Sequence, residues 1–125
     1  MKQITRNVDP VHVRDLLERV PRACIAYASD KGPQVQPVAL AWIDKRYLVG
    51  IPDRVEHGPG AGEEIVLLVD EGVYFFELRA LYVRGRLQPA TSLPNTPTGH
   101  TWLELVPLRE VAWDYGSLRE EGDAS

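Results

Sequence analysis

The chain has one cysteine, Cys24, in 125 residues, so no intramolecular disulfide can form. Long hydrophobic runs are missing as well: no stretch approaches the roughly 18 apolar residues of a membrane span. The opening MKQITRNVDP has no apolar centre of the kind a secretory leader carries. Secretion and membrane insertion are therefore not expected, and a reducing cytoplasm suits the lone thiol. Basic charge is scarce; the formal net charge of -4 argues against nucleic acid as a partner, because phosphates need a basic face. No serine sits in a Gly-x-Ser-x-Gly elbow, and Cys24 has no base nearby in sequence, which leaves nucleophilic hydrolysis without support. His12, His57 and His100 have no metal-site spacing, so no metal is expected.

The chain does have the composition of one soluble globular domain. Hydrophobic residues make up 44% and charged residues 26%, enough for a real core and too few residues for two. A single domain over residues 1–125 is expected, with fraying at 1–8 and 120–125.

Asp9 is a good N-cap and Pro10 a good first helical residue. Val13, Leu16, Leu17 and Val20 follow at helical spacing before Pro21 stops the pattern. The rest reads as strands. Residues 23–28 form one, with Cys24 buried between apolar neighbours. Ser29, Asp30, Lys31 and Gly32 make a turn, and residues 34–43 a second strand, with Pro37 at an edge or bulge. After Asp44, Lys45 and Arg46 comes a third strand, 47–51. Residues 65–69 are almost wholly apolar, as a strand buried on both faces would be. From Leu81 onward, Leu81, Val83, Gly85 and Leu87 alternate with Tyr82, Arg84, Arg86 and Gln88. Residues 91–99 read as a loop, and 102–106 with 111–113 as a closing strand interrupted near Pro107. One helix and about six short strands joined mostly by tight turns predict a mainly β fold, a small six-stranded antiparallel split β-barrel with an N-terminal helix.

Several features admit two readings. The run Gly58-Pro59-Gly60-Ala61-Gly62 resembles a phosphate loop, but it lacks the Lys-Ser/Thr ending and leads into a strand, with Glu63 and Glu64 directly behind it. A plain β-connection is the simpler reading. His57 ends the loop after the third strand and reads as an ordinary exposed histidine. Arg84 and Arg86 share a strand face with Tyr82 and have the spacing to clamp a carboxylate or phosphate; a solvated exterior or a dimer contact is the simpler reading, since alternating Arg on an exposed strand face is common. Trp42, Trp102 and Trp113 offer flat surfaces for a ring system, or for the core or an interface.

Taken together, CIAYA at 24–28, the Lys31-Gly32 turn, QVQPV at 34–38 and YLVGIP at 47–52 resemble the first half of the flavin-binding split barrels related to pyridoxamine-phosphate oxidase. IVLLVD at 65–70 and LYVRGRL at 81–87 are similar to that family's next strands, and VAWDYGSL at 111–118 to the closing segment of its actinobacterial members. The resemblance implies a homodimer holding a flavin (FMN) or deazaflavin in clefts between subunits, and an oxidoreductase that moves hydride to a small acceptor. It places Gln36, Pro37 and Val38 beside the isoalloxazine ring and Gly50, Ile51 and Pro52 along the cofactor's tail. Family members then grip the terminal phosphate with cations on a short helix. Here the segment is DRVEHGPG, with Arg54 its only permanent cation, and Arg84 or Arg86 of either subunit would have to help. That departure keeps a second expectation open: a cofactor-free barrel dimer that binds a small ligand or acts as an interaction module. No acid or base stands out as catalytic, and the substrate is not legible.

Overall fold

The computed structural model describes residues 7–17, 22–72, 78–90 and 98–114. Among them run β1 (Asn7–Val8), a 3-10 helix (Pro10–Leu17), β2 (Arg22–Ser29), β3 (Gly32–Pro37), β4 (Ala39–Ile43), β5 (Arg46–Pro52), β6 (Glu64–Glu71), β7 (Arg79–Pro89) and β8 (His100–Asp114). Seven strands follow one another in the order β3-β2-β6-β7-β8-β5-β4, every neighbour antiparallel, and β1 adds a short pairing to β8. The fold is mainly β with one short helix, as expected. The strand number is corrected upward from six.

The extra strand comes from Pro37 and Val38. The expected single strand over 34–43 divides there, because Pro37 has no N–H to continue a ladder. β3 stays with β2 (Cys24 opposite Pro37), whereas β4 goes to β5 (Ala39 opposite Gly50). The Val38 amide donates to the Ala23 carbonyl at 3.1 Å, so the two ends of the strand path meet and the sheet curls into a barrel. The interruption expected near Pro107 is a bulge inside one continuous β8. Arg84 faces Arg109 while Gly85 faces Pro107, leaving Leu108 as the extra residue. Glycine is needed at that point, since a Cβ at 85 would collide with the Val106 carbonyl.

The helix begins as the sequence suggests. Asp9 Oδ1 accepts from the Val11 amide at 3.0 Å, and its carbonyl accepts from His12 N at 2.9 Å. Its geometry is 3-10, and Val13, Leu16 and Leu17 are its buried face; Val20 lies outside the described residues. They close one end of a core made by Ile25, Val49, Leu67, Val69, Leu81, Val83 and Leu105, among others. Strand β6 is not buried on both faces: Ile65, Leu67 and Val69 point into the core, while Val66 and Leu68 are half-buried on the outside. Asn7 and Val8, in the stretch expected to fray, pair with Trp113 and Ala112; residues 120–125 lie outside the described ones. Among the described residues no helix is long and apolar enough to cross a membrane.

Candidate functional site

Alternation on β5 puts Tyr47, Val49 and Ile51 in the core and Leu48 and Gly50 on the other face of the sheet, where both are buried as well. Gly50 pairs with Ala39 on one side and Trp102 on the other. The Trp102 indole lies on the glycine: a Cβ at 50 would come within 2.8 to 2.9 Å of three ring atoms. His100 packs beside that indole with ring centroids 6.0 Å apart, and His100 faces Pro52 across the ladder. The β4–β5 ladder ends at Ala39 and Gly50, so Val38 sits next to that pair at the seam where the sheet closes, its amide on the Ala23 carbonyl. Pro37 belongs to the β2 side of the seam, opposite Cys24, while Ile51 and Pro52 pair with Thr101 and His100. Gln36 precedes Pro37 on β3, its amide folded onto the Pro37 carbonyl at 2.8 Å.

A connection of ordered turns starts from this rim. The Asp53 amide donates to Gly99 O (3.0 Å), its Oδ1 accepts from the Thr101 hydroxyl (2.9 Å), and Val55 N donates to Pro52 O (3.0 Å). Arg54 stands exposed in this turn. Gly58 approaches Ile51 and Val55, which folds the segment back against the barrel. His57 is exposed, with φ 57, a left-handed conformation. The end of the glycine run is zipped onto β7: Gly62 N donates to Leu87 O at 2.7 Å, and Leu87 N to Glu63 O at 2.9 Å. Those amides serve the sheet and are not turned toward an anion.

Arg84 and Arg86 lie on the outer face of β7, separated from β5 by β8. They oppose Arg109 and Val106, whereas Pro52 opposes His100. Along β8 those partners lie seven and four residues beyond Trp102, the partner of Gly50, or roughly 23 and 13 Å along the sheet at the usual rise per strand residue. Arg84 Nε pairs with Glu64 Oε1 at 3.2 Å, and Arg86 Nη1 donates to the Gly62 carbonyl at 2.9 Å. Within one protomer they do not join Arg54.

The opposite end holds a cluster that sequence reasoning missed. Tyr47, 2% exposed, donates its hydroxyl to Glu110 Oε1, and Glu110 Oε2 lies 3.3 Å from Arg14 of the helix. Trp42 packs on Tyr47 (4.7 Å) and under the Arg14 guanidinium (5.7 Å). Burial, then the Glu110 carboxylate, push the Tyr47 phenol well above its ordinary range. Nearby, Arg79 is bidentate to Asp15 (2.6 and 2.9 Å) and also reaches Glu71 and the His12 carbonyl. Partners 63 residues apart leave no local signal. Cys24 lies on β2 but is half-buried instead of enclosed, and burial, with Asp70 adding, raises its thiol pKa.

No protein-family model and no curated protein matches the sequence. Solved structures do match the fold. A FAD-binding protein from Mycobacterium smegmatis superposes with a TM-score of 0.63 at 16% identity, over 87% of this chain and 96% of that one. A candidate pyridoxamine 5'-phosphate oxidase from Corynebacterium glutamicum gives 0.58 at 14% identity, over 90% and 94%. An F420 reductase gives 0.53 at 18%, over 78% and 94%. At these identities the likeness carries the architecture, and that architecture is the split barrel expected from the sequence.

Proposed function

We propose that the chain seats a flavin or deazaflavin ring on the outer face beside Gly50 and Trp102, as one of two identical subunits, and that the bound ring exchanges hydride with a small acceptor. The observation that carries the reading is the Trp102 indole lying on the bare Cα of Gly50, next to the Ala39–Gly50 pair that follows Val38. The indole covers Gly50 and stays half exposed itself, a flat surface that suits a planar ligand. Solved structures of the same fold titled as FAD-binding proteins and an F420 reductase support the ligand class. The cofactor supplies the hydride chemistry; the chain's part is to hold the ring and exclude water.

The dimer is supported by the outer face of the sheet. Ala26 stands between Val35 and Val66, and Leu68 between Cys24 and Tyr82, so two apolar rows cross the strands where an exposed sheet would carry polar residues. Val35 is 69% exposed in the single chain. A second copy presenting the same rows would cover it. A cytoplasmic location suits the half-buried Cys24 thiol.

A second reading, a cofactor-free barrel binding another small ligand, is favoured by the engagement of Arg84 and Arg86 in contacts of their own. The visible spectrum of the purified protein, before and after adding FMN or a deazaflavin and desalting, separates the two. A retained flavin band is expected; colourless protein after both additions would leave the second reading standing. Light scattering on the same sample should give twice the chain mass of 14.0 kDa.

A further inference from the structure

The charge around the candidate site does not suit a phosphate. The rim turn, residues 53–57, carries Asp53 and Glu56 against Arg54, while Glu63 and Glu64 lie at the far end of the loop beside Arg84 and Arg86. The Asp53 carboxylate is fixed at the rim by its bond from Thr101, with its amide tied to Gly99. Among the backbone donors of the loop, Val55 N is bonded to Pro52 O, Gly62 N to Leu87 O and Glu63 N to Gly60 O. Arg84 pairs with Glu64 and Arg86 donates to the Gly62 carbonyl, so both guanidinium groups are held at the far end of the loop, away from Asp53. A dianionic phosphate at this rim would meet one exposed guanidinium and a fixed carboxylate. The half-exposed Trp102 indole offers a flavin ring a surface to stack on, whereas the turn after Pro52 offers its terminal phosphate one guanidinium beside two carboxylates.

We propose that this site recognises the flavin ring and is indifferent to the phosphate tail, so that it takes a flavin with an uncharged tail, riboflavin, as readily as the mononucleotide. The inference rests on the flavin reading above and specifies its ligand. Where two or more charge-assisted bonds grip a phosphate, the phosphorylated ligand binds on the order of 100-fold tighter. Here the two dissociation constants fall within about 3-fold of each other.

The test is a pair of fluorescence titrations of the intact protein with riboflavin and with FMN, at pH 8 and one fixed salt concentration. Asp53→Asn is measured beside the wild type; it keeps an oxygen for the Thr101 hydroxyl and removes the rim charge. Near-equal affinities in the wild type, with the ratio moving toward FMN by about 3-fold or more in Asp53→Asn, are expected. FMN binding at least about 10-fold tighter in the wild type would overturn the inference while leaving the flavin reading in place. Binding of neither ligand would overturn both. An unchanged ratio in Asp53→Asn would remove the rim carboxylate from the explanation and overturn its stated basis.

Discussion

The two ends of this barrel use charge in opposite ways. At the helix end, cations and carboxylates from distant segments pair with one another: Arg79 with Asp15 and Glu71, Arg14 with Glu110, and Tyr47 with the same Glu110. At the loop end, the paired groups are bonded within the rim, and Arg54 stands exposed among acids. The first end locks a short helix over the core. The second has the half-exposed Trp102 indole over a buried Gly50. In proteins at large, a rigid packed end of the first kind serves as the scaffold for binding loops elsewhere.

The contrast can be broken most strongly at Arg79. Arg79→Ala leaves Asp15, Glu71 and Asp114 facing one another without their shared cation, and Asp15 is half exposed, which softens the loss. A destabilisation of about 1–3 kcal/mol is expected by thermal or urea unfolding, because several charges share one partly exposed cation, with the helix loosened from β7. A change under about 0.5 kcal/mol would mean that apolar packing of Val13, Leu16 and Leu17 holds the helix unaided.

Gly50→Ala attacks the other end. The new methyl forces the Trp102 ring aside at a cost of about 1–3 kcal/mol, and flavin affinity falls with the wall. Both read from one sample by melting and titration; retained affinity would separate the ring site from Gly50.

Tyr47→Phe is smaller and carries a pH signature. The folded-state pKa of Tyr47 lies above its unfolded value, so the stabilising contribution is complete below about pH 10. Above that, the unfolded chain ionises while the folded one does not. Stability of the wild type therefore drops by up to about 1.4 kcal/mol per pH unit from this group. Tyr47→Phe should lose about 1–2 kcal/mol at pH 7 and flatten that alkaline slope, measured by urea unfolding from pH 8 to 11. An unchanged slope would show that Tyr47 ionises alike in the folded and unfolded chain, against both its burial and its bond to Glu110.

Smallest of all is Arg54→Ala. The side chain is exposed, so stability should hold within about 0.5 kcal/mol. FMN affinity should change by no more than about 3-fold if the loop end does not grip phosphate.

Much of the barrel was legible because strand periodicity is local. Leu81, Val83 and Leu87 against Tyr82, Arg84 and Arg86 gave β7 its two faces, and the Asp9-Pro10 start marked the helix. Register was not legible. Which residue opposes Gly50 depends on a pairing across 52 residues, so Trp102 could be listed as a flat surface but not laid on that glycine. The Glu110 cluster was hidden for the same reason, since Tyr47 sits in a run that looks uniformly apolar. Pro37 announced an irregularity, but only the sheet order reveals that it transfers the chain from one end of the strand path to the other. For the site, Pro37, Val38 and Gly50 to Pro52 came through resemblance; the ladder sets Ala39, the residue after Val38, opposite Gly50 and leaves Pro37 opposite Cys24.

The most direct test of the central idea is titration of riboflavin into the wild type and Trp102→Ala, read by quenching of flavin and tryptophan emission. The account predicts saturable binding to the wild type and a loss of about 10-fold or more without the indole. Binding that ignores Trp102, or no binding to either protein, would contradict it.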